Sequence, residues 1–439
     1  METQFVLEPA IQKKSNFKFL WKFFRSPLEA LTELAHEQGD MAHIHLRKRD
    51  LFLLNHPEFI EQVLVKQQGN FIKGPSLQRA RTILGEGLLT SEGREHLIQR
   101  RTLQPAFHRQ RMEEYLPLMN ENTLVHISKW TDGARMDMSD EMMRLTLSIA
   151  LWSFFGSAPE DTADRVSKSM QTLIKLFPLV QLPLPESVCS LFPGFSEAKT
   201  SLSAVTEALL KEPQSEHAKR ALIHILKENH SGQFTDEQIH AHVLTFLLAG
   251  HETTALLLAW CWDMLAHHPE VQMKLQAEID ATLGDRFPTP DDIKKLSYAL
   301  MVIKETLRIR PPAWAMGRQA IHDCEIGGQR IPAGSTVLMS QWVTHHDSRF
   351  YDAPHLFRPE RWSGLEEHSL PRYAFFPFGG GNRICIGEHF AMTEAITVLA
   401  MISRRWNIAA TQTNLATPKP SVTLRPNKGV KLIVIRRAV

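Results

Sequence analysis

The chain has 439 residues, 43% hydrophobic and 22% charged, so it carries enough apolar side chains to close a large core. A net charge of +2 and a pI near 8.3 leave no electrostatic footprint for nucleic acid. Four cysteines (Cys189, Cys261, Cys324 and Cys385) lack any CxxC spacing. That argues against a zinc site and a disulfide framework, and makes a reducing, cytoplasmic setting the expectation.

In chain order, residues 1–10 have no basic region followed by an apolar run, so no signal peptide is expected. Residues 17–24 interleave aromatics with Lys18 and Lys22; packing against the protein's own body is expected, with peripheral membrane contact as the alternative. Ser26-Pro27-Leu28-Glu29 reads as a capping box, and Gly39 ends its helix. Residues 42–55 alternate like a two-stranded hairpin. Residues 71–93, glycines mixed with Leu and Ile, read as a loop, as do residues 176–195 with Pro178, Pro183, Pro185 and Pro193. Between them, a helix over residues 94–103 places His96 and Arg100 on one face.

Thr235-Asp236-Glu237-Gln238 is a second capping box, with Phe234 and Ile239 as its staple. The helix it opens runs to His268, before Pro269, for roughly 50 Å at 1.5 Å per residue. His251 and Glu252 at its middle argue against a membrane span. Thr289-Pro290-Asp291-Asp292 leads into a helix ending near Arg310, before Pro311-Pro312. Residues 325–339 read as a strand pair with turns, residues 388–404 as a helix and residues 431–435 as the last strand. No linker, repeat or low-complexity stretch interrupts residues 1–439, so one domain is expected, mainly α with a small β part.

Three motifs carry chemistry. Phe378-Gly379-Gly380-Gly381-Asn382-Arg383-Ile384-Cys385-Ile386-Gly387 sets one cysteine in a glycine-rich loop ahead of a helix. Glycines permit close backbone approach, and N–H groups at a helix start favour a thiolate and lower its pKa. Such a thiolate suits a soft or borderline metal. Chance occurrence of Phe, Gly, Arg, Cys and Gly at these offsets is on the order of 1 in 10,000, which disfavours an inert buried cysteine. Ala249-Gly250-His251-Glu252-Thr253-Thr254 puts Ala249 and Thr253 on one helix face. His251-Glu252 is no zinc-protease motif, because position 255 is Ala255. Glu305 and Arg308, three apart among Met301, Val302, Ile303 and Leu307, suit a buried ion pair.

The cysteine loop resembles the haem-binding loop of the cytochrome P-450 family, the haem-thiolate monooxygenases. Five motifs fall in that family's order over residues 26–436. The resemblance implies the family fold, with a long central helix over haem b, and O2 as co-substrate. It makes Cys385 the iron ligand, with Phe378 and Gly387 around the sulfur. Arg383, Arg100, His96 and Arg318 become propionate partners, although many members have Trp where His96 stands. Small residues at Ala249 and Gly250 let the macrocycle or O2 approach the backbone, and Glu252 and Thr253 form the acid–alcohol pair that relays protons. Glu305, Arg308 and Arg361, the last within Phe357-Arg358-Pro359-Glu360-Arg361-Trp362, form a structural network.

The same resemblance points to Phe177, Ala313, Trp314, Ala315, Met316, Val422 and Thr423 as substrate-facing, with Leu179 and Val180 at the roof. A small apolar, lipid-like substrate is implied, a terpenoid or carotenoid before a fatty acid. Electrons are expected from NAD(P)H through a separate ferredoxin and its reductase or a flavodoxin, docking at Arg100, Arg101, Arg109 and Arg111. A soluble, bacterial-type monomer without an N-terminal anchor is expected. A peroxide-driven haem enzyme and a haem sensor are the rival functions, and the Glu252-Thr253 pair speaks against the first.

Overall fold

The computed structural model describes residues 15–46, 49–159, 161–180, 186–211, 222–228 and 234–438. The longer helices, in chain order, are α1 (Ser15–Arg25), α2 (Pro27–Gln38), α3 (Gly93–Leu103), α4 (Arg109–Ile127), α5 (Met138–Ala150), α6 (Thr162–Val180), α7 (Phe195–Lys211), α8 (Asp236–His267), α9 (Pro269–Leu283), α10 (Ser297–Ile309) and α11 (Glu388–Arg405). Local chemistry starts α8 where the sequence places it. The Gln238 N–H donates to Thr235 Oγ1 at 3.3 Å, and the Thr235 N–H donates to Gln238 Oε1 at 3.0 Å. Helices α5, α7, α9, α10 and α11 all pack on α8, which explains its apolar residues all round. It is long and apolar enough to cross a membrane, but 78% of its most apolar window is buried within the protein.

A five-stranded sheet flanks this helical body. Its strands are β1 (Met41–Leu46), β2 (Arg49–Leu54), β3 (Phe71–Lys73), β4 (Met316–Ala320) and β5 (Thr336–Met339), in the order β1-β2-β5-β4-β3. Only the β2–β5 pairing is parallel, with Leu51 opposite Thr336. In the β3–β4 pair Lys73 lies opposite Arg318. Smaller sheets join Arg135–Asp137, Lys431–Arg436 and Trp406–Ala410, and pair Pro418–Pro420 with Leu424–Pro426.

Several expectations shift. The Ser26 side chain makes no cap bond, and its backbone N–H donates to Lys22 O at 2.7 Å, closing α1, so it is taken from the Glu29 carboxylate that would complete a capping box. Residues 71–93 contain β3 and two short helices, Pro75–Arg79 and Arg81–Leu84, before the chain becomes irregular. α6 carries helix through Leu176 and Phe177 to Val180, where a loop is predicted; Pro183 and Pro185 lie outside the described residues. The helix read from Thr289 to Arg310 breaks at Leu296 into Pro290–Lys295 and α10. Residues 325–339 split between a small hairpin, Cys324–Ile326 with Gln329–Ile331, and β5. In α1, Phe19 is buried and Phe23 packs beside it, whereas Trp21 and Phe24 are 57% and 83% exposed.

Candidate active site

The loop before α11 folds back on itself, with the Cys385 N–H donating to Phe378 O at 2.9 Å. Gly381 has φ +67°, and a Cβ there would sit 1.8 Å from the Leu64 carbonyl oxygen. A Cβ on Gly380 would lie 2.4 Å from the Tyr373 ring. The glycine run therefore serves close packing on Leu64 and Tyr373. The Cys385 sulfur opens onto an interior space while protein atoms crowd it, and a Gly387 Cβ would be 4.0 Å away. Burial pushes the thiol's pKa up, outweighing the Gly387 N–H and the nearby Arg100 guanidinium. The helix-start N–H groups act in the expected direction but burial outweighs them, and a bound metal would supply the charge that ionises this sulfur.

Beside the loop stands a cluster of cations. Arg100 on α3 donates to Ile384 O at 2.7 Å, tying that helix to the cysteine loop. His96, one turn earlier, is buried; burial and the charges of Lys73, Arg383 and Arg100 lower its pKa to about 4, so it is neutral. Burial also brings Arg318 down to about 10 and Lys73 to about 7. Glu92 is the acid in their midst, 2.5 Å from Arg383, with the Lys73 N–H donating to it at 2.6 Å. Arg383 Nη1 is buried with no hydrogen-bond partner. Two cations opposed across a strand pair repel one another, and an unpaired buried donor is costly. Glu92 alone does not balance the cations of Lys73, Arg100, Arg318 and Arg383, and the two propionates of haem b fit that shortfall. Among the described residues no group of three His, Cys, Asp or Glu could hold a metal, so Cys385 suits a metal whose other ligands come with a macrocycle.

The sequence profile of the cytochrome P-450 family matches residues 14–434. The chain belongs to the cytochrome P-450 family. Its similarity to individual relatives runs nearly end to end. Cyclooctatin synthase from Streptomyces melanosporofaciens is 34% identical over 91% of this chain and 89% of its own. Cyclooctat-9-en-7-ol 5-monooxygenase from the same organism is 34% identical over 92% of this chain and 88% of its own. Pentalenene oxygenase from Streptomyces avermitilis is 32% identical, over 92% and 90% respectively. This cytochrome P-450 is thus a haem-dependent monooxygenase that works with redox partners on an apolar substrate.

On α8, Ala249 is exposed and Thr253 half-buried although flanking positions are buried, so their shared face borders open space inside the protein. Thr253 Oγ1 donates to Ala249 O at 2.9 Å. Gly250 faces elsewhere: a Cβ there would lie 2.8 Å from the Phe154 ring, so its smallness serves an aromatic cluster with Phe107, Phe246 and Phe390. Glu252 also points away from Thr253. Its Oε1 accepts from Thr423 Oγ1 at 2.5 Å and pairs with Arg425 Nη2 at 2.8 Å.

Glu305, Arg308 and Arg361 come together in the core, and Trp362 joins them. Of the substrate candidates, Trp314 donates its ring N–H to Ser421 O at 3.0 Å and packs in a cluster with Phe19 and Leu31, a structural position. Met316, on β4, lies against Gly379. Thr423 is engaged by Glu252, Val422 is 44% exposed, and Phe177 packs on the main core. Ala313 and Ala315 are half-buried in the turn between α10 and β4. Lys73, Glu92 and Arg425 carry site geometry that the motif reading did not assign, and Thr423, read there as substrate-facing, holds Glu252 instead. Sequence spacing could flag only Glu92, beside the His96–Arg100 helix.

Proposed function

We propose that this cytochrome P-450 hydroxylates a terpenoid, with Cys385 as its iron ligand. Whole-length similarity to the terpenoid-modifying relatives described above carries the substrate class. When bound, haem b supplies the centre at which O2 is split, one atom entering a C–H or C=C bond and the other leaving as water. Cys385 loses its proton on loading, and Arg100 and the Gly387 N–H steady the sulfur's charge. Lys73, Arg318 and Arg383 neutralise the propionates, and His96 offers a neutral ring donor. Thr253 holds a proton at Oγ1 on the face it shares with Ala249.

Electrons come from a separate ferredoxin or flavodoxin. Arg101 and Arg109 are exposed for docking, with Leu97 and Ile98 exposed beside them. Arg100 and Arg111 are turned to internal partners, Ile384 O and Glu114.

The test is spectral. The reduced, CO-bound protein should show the red-shifted Soret band of a thiolate ligand, and Cys385→His should move it to the histidine-ligated position. A screen of the ferric protein against terpenoids, carotenoids and fatty acids should give its largest substrate-type shift with a terpenoid. A shift with fatty acids alone would overturn the substrate class and leave the ligand assignment standing.

A further inference from the structure

Helix α1 (Ser15–Arg25) carries three different stripes along its length. At about 100° per residue, Phe19 and Phe23 fall on one side, Leu20, Trp21 and Phe24 on a second, and Lys18, Lys22 and Arg25 on a third. The first stripe is used in packing. The Phe19 and Phe23 rings stack at 5.7 Å within the cluster that holds Leu31, Leu53 and Trp314. The second stripe faces outward, with Trp21 and Phe24 exposed and Leu20 half-buried. Two large aromatic side chains left in water, on a helix whose inner face is already packed, mark a contact beyond the fold.

Charge decides what kind of contact. The basic stripe runs beside the outward one: Lys18 and Arg25 are exposed, the Arg25 guanidinium lies 4.5 Å from the centre of the Trp21 ring, and Lys22 pairs with Glu33 of α2. In sequence, Lys13, Lys14, Lys18, Lys22 and Arg25 all fall between Glu8 and Glu29, with no acid among them. Aromatic rings next to such a run of cations suit an anionic lipid surface, where rings enter the acyl boundary and cations meet headgroups. A second copy of the chain would bring two basic stripes together, and like charges oppose that pairing. With 11 residues α1 is about 16 Å long, against roughly 30 Å of hydrocarbon, so it would lie on a bilayer and not cross it.

We propose that the outer face of α1 docks this protein on an anionic lipid surface, with Trp21 and Phe24 inserted and Lys18 and Arg25 against the headgroups. An apolar substrate concentrates in lipid. The inner face of α1 shares its cluster with Trp314, whose neighbours Ala313 and Ala315 are half-buried in the turn before β4, so docking holds that turn near the lipid. This advantage rests on the monooxygenase reading above, whereas docking itself does not.

The experiment floats the haem-loaded full chain with vesicles of phosphatidylcholine, alone or mixed equally with phosphatidylglycerol. The protein should float with the mixed vesicles, far less with the neutral ones, and less as salt rises. Lys18→Gln should weaken binding about fivefold, and Trp21→Ala combined with Phe24→Ala should abolish it. Brominated acyl chains should quench part of the parent's tryptophan fluorescence. Trp21→Phe, which keeps an aromatic ring, should still float but lose that quenching. Haem content and melting temperature should stay at parent values throughout, because Phe19 and Phe23 are untouched. Flotation unchanged in the double variant, or quenching that survives Trp21→Phe, overturns the proposal. So does a parent that fails to float, while self-association or binding of an acidic ferredoxin is lost in the double variant; the face would then serve a second copy or the redox partner. Failure of the monooxygenase reading is distinct, because the thiolate CO band would be missing while flotation persists.

Discussion

Replacing Glu305 with alanine removes the common acceptor of a buried cluster. Arg308 donates to its carboxylate from Nε at 2.9 Å and Nη2 at 2.8 Å, and Arg361 from Nε at 2.9 Å. The Trp362 ring N–H and the Arg358 backbone N–H each donate at 3.0 Å. Glu305 and Arg308 have no exposed side-chain surface, and Arg361 has 4%. Arg308 would keep the carbonyls of His345 at 2.8 Å and Pro354 at 2.6 Å on Nη1 and that of Leu356 at 3.2 Å on Nη2, which leaves its Nε–H without Glu305 and its charge unbalanced. Removing one partner of a buried ion pair costs roughly 3–5 kcal/mol, and here two guanidiniums lose the same carboxylate, so the upper end applies. Set against a total stability of roughly 5–15 kcal/mol, that is a third or more of what holds the fold together. Urea unfolding, followed by far-UV circular dichroism and haem absorbance, should show a much lower midpoint and poor haem loading for Glu305→Ala. Glu305→Gln, which keeps one acceptor but no charge, should fall between. A wild-type midpoint and haem content in Glu305→Ala would refute the reasoning.

Thr253→Ala should retain haem and substrate binding yet release much of the consumed oxygen as hydrogen peroxide, while Thr253→Ser keeps most of the coupling; the measurement is product per NADPH, and an unchanged ratio in Thr253→Ala would exclude that hydroxyl from the relay. Burial holds His242 near pKa 4 and His345 near 3, against an ordinary 6.5. Both folded-state values are depressed, so the unfolded chain takes up these protons first. Stability is whole above about pH 6.5 and is lost as pH falls from there towards the folded values, by roughly 3–5 kcal/mol per group at the acid end. Unfolding midpoints across that range should fall less steeply in His242→Gln, and an unaltered slope would count against His242.

Local chemistry made the helix starts legible, and competition for the same backbone made one of them misleading. Thr235 and Ser26 present the same kind of cap signature, but Ser26 follows directly on α1, whose last turn takes its N–H. The Thr235 N–H donates to Gln238 Oε1 at 3.0 Å, so both halves of its capping box form. The α6 extension was illegible for another reason. Proline-rich composition marks a break only where the chain leaves helix, and α6 continues through Leu176 and Phe177 before the prolines at 183 and 185. Tertiary partners were likewise beyond local patterns. Small residues at Gly250, Gly380 and Gly381 are visible in sequence, but their neighbours, Phe154, Tyr373 and the Leu64 carbonyl, belong to other elements. Lys73 shows the cost of this most clearly, since only the β3–β4 register brings it opposite Arg318.

The relay motif carries a geometric fact that adjacency in sequence conceals. Successive helical residues are turned by about 100°, so Glu252 and Thr253 face different directions, whereas Ala249 and Thr253 share one. The side chains follow that rule: Thr253 Oγ1 donates to Ala249 O, and Glu252 reaches across to Thr423 and Arg425. The Ser421–Leu424 turn supplies the neutral donor and Arg425 the charge, and both come from the far end of the chain. Residues that read as substrate contacts by position can thus govern the acid instead, and Thr423 is such a residue.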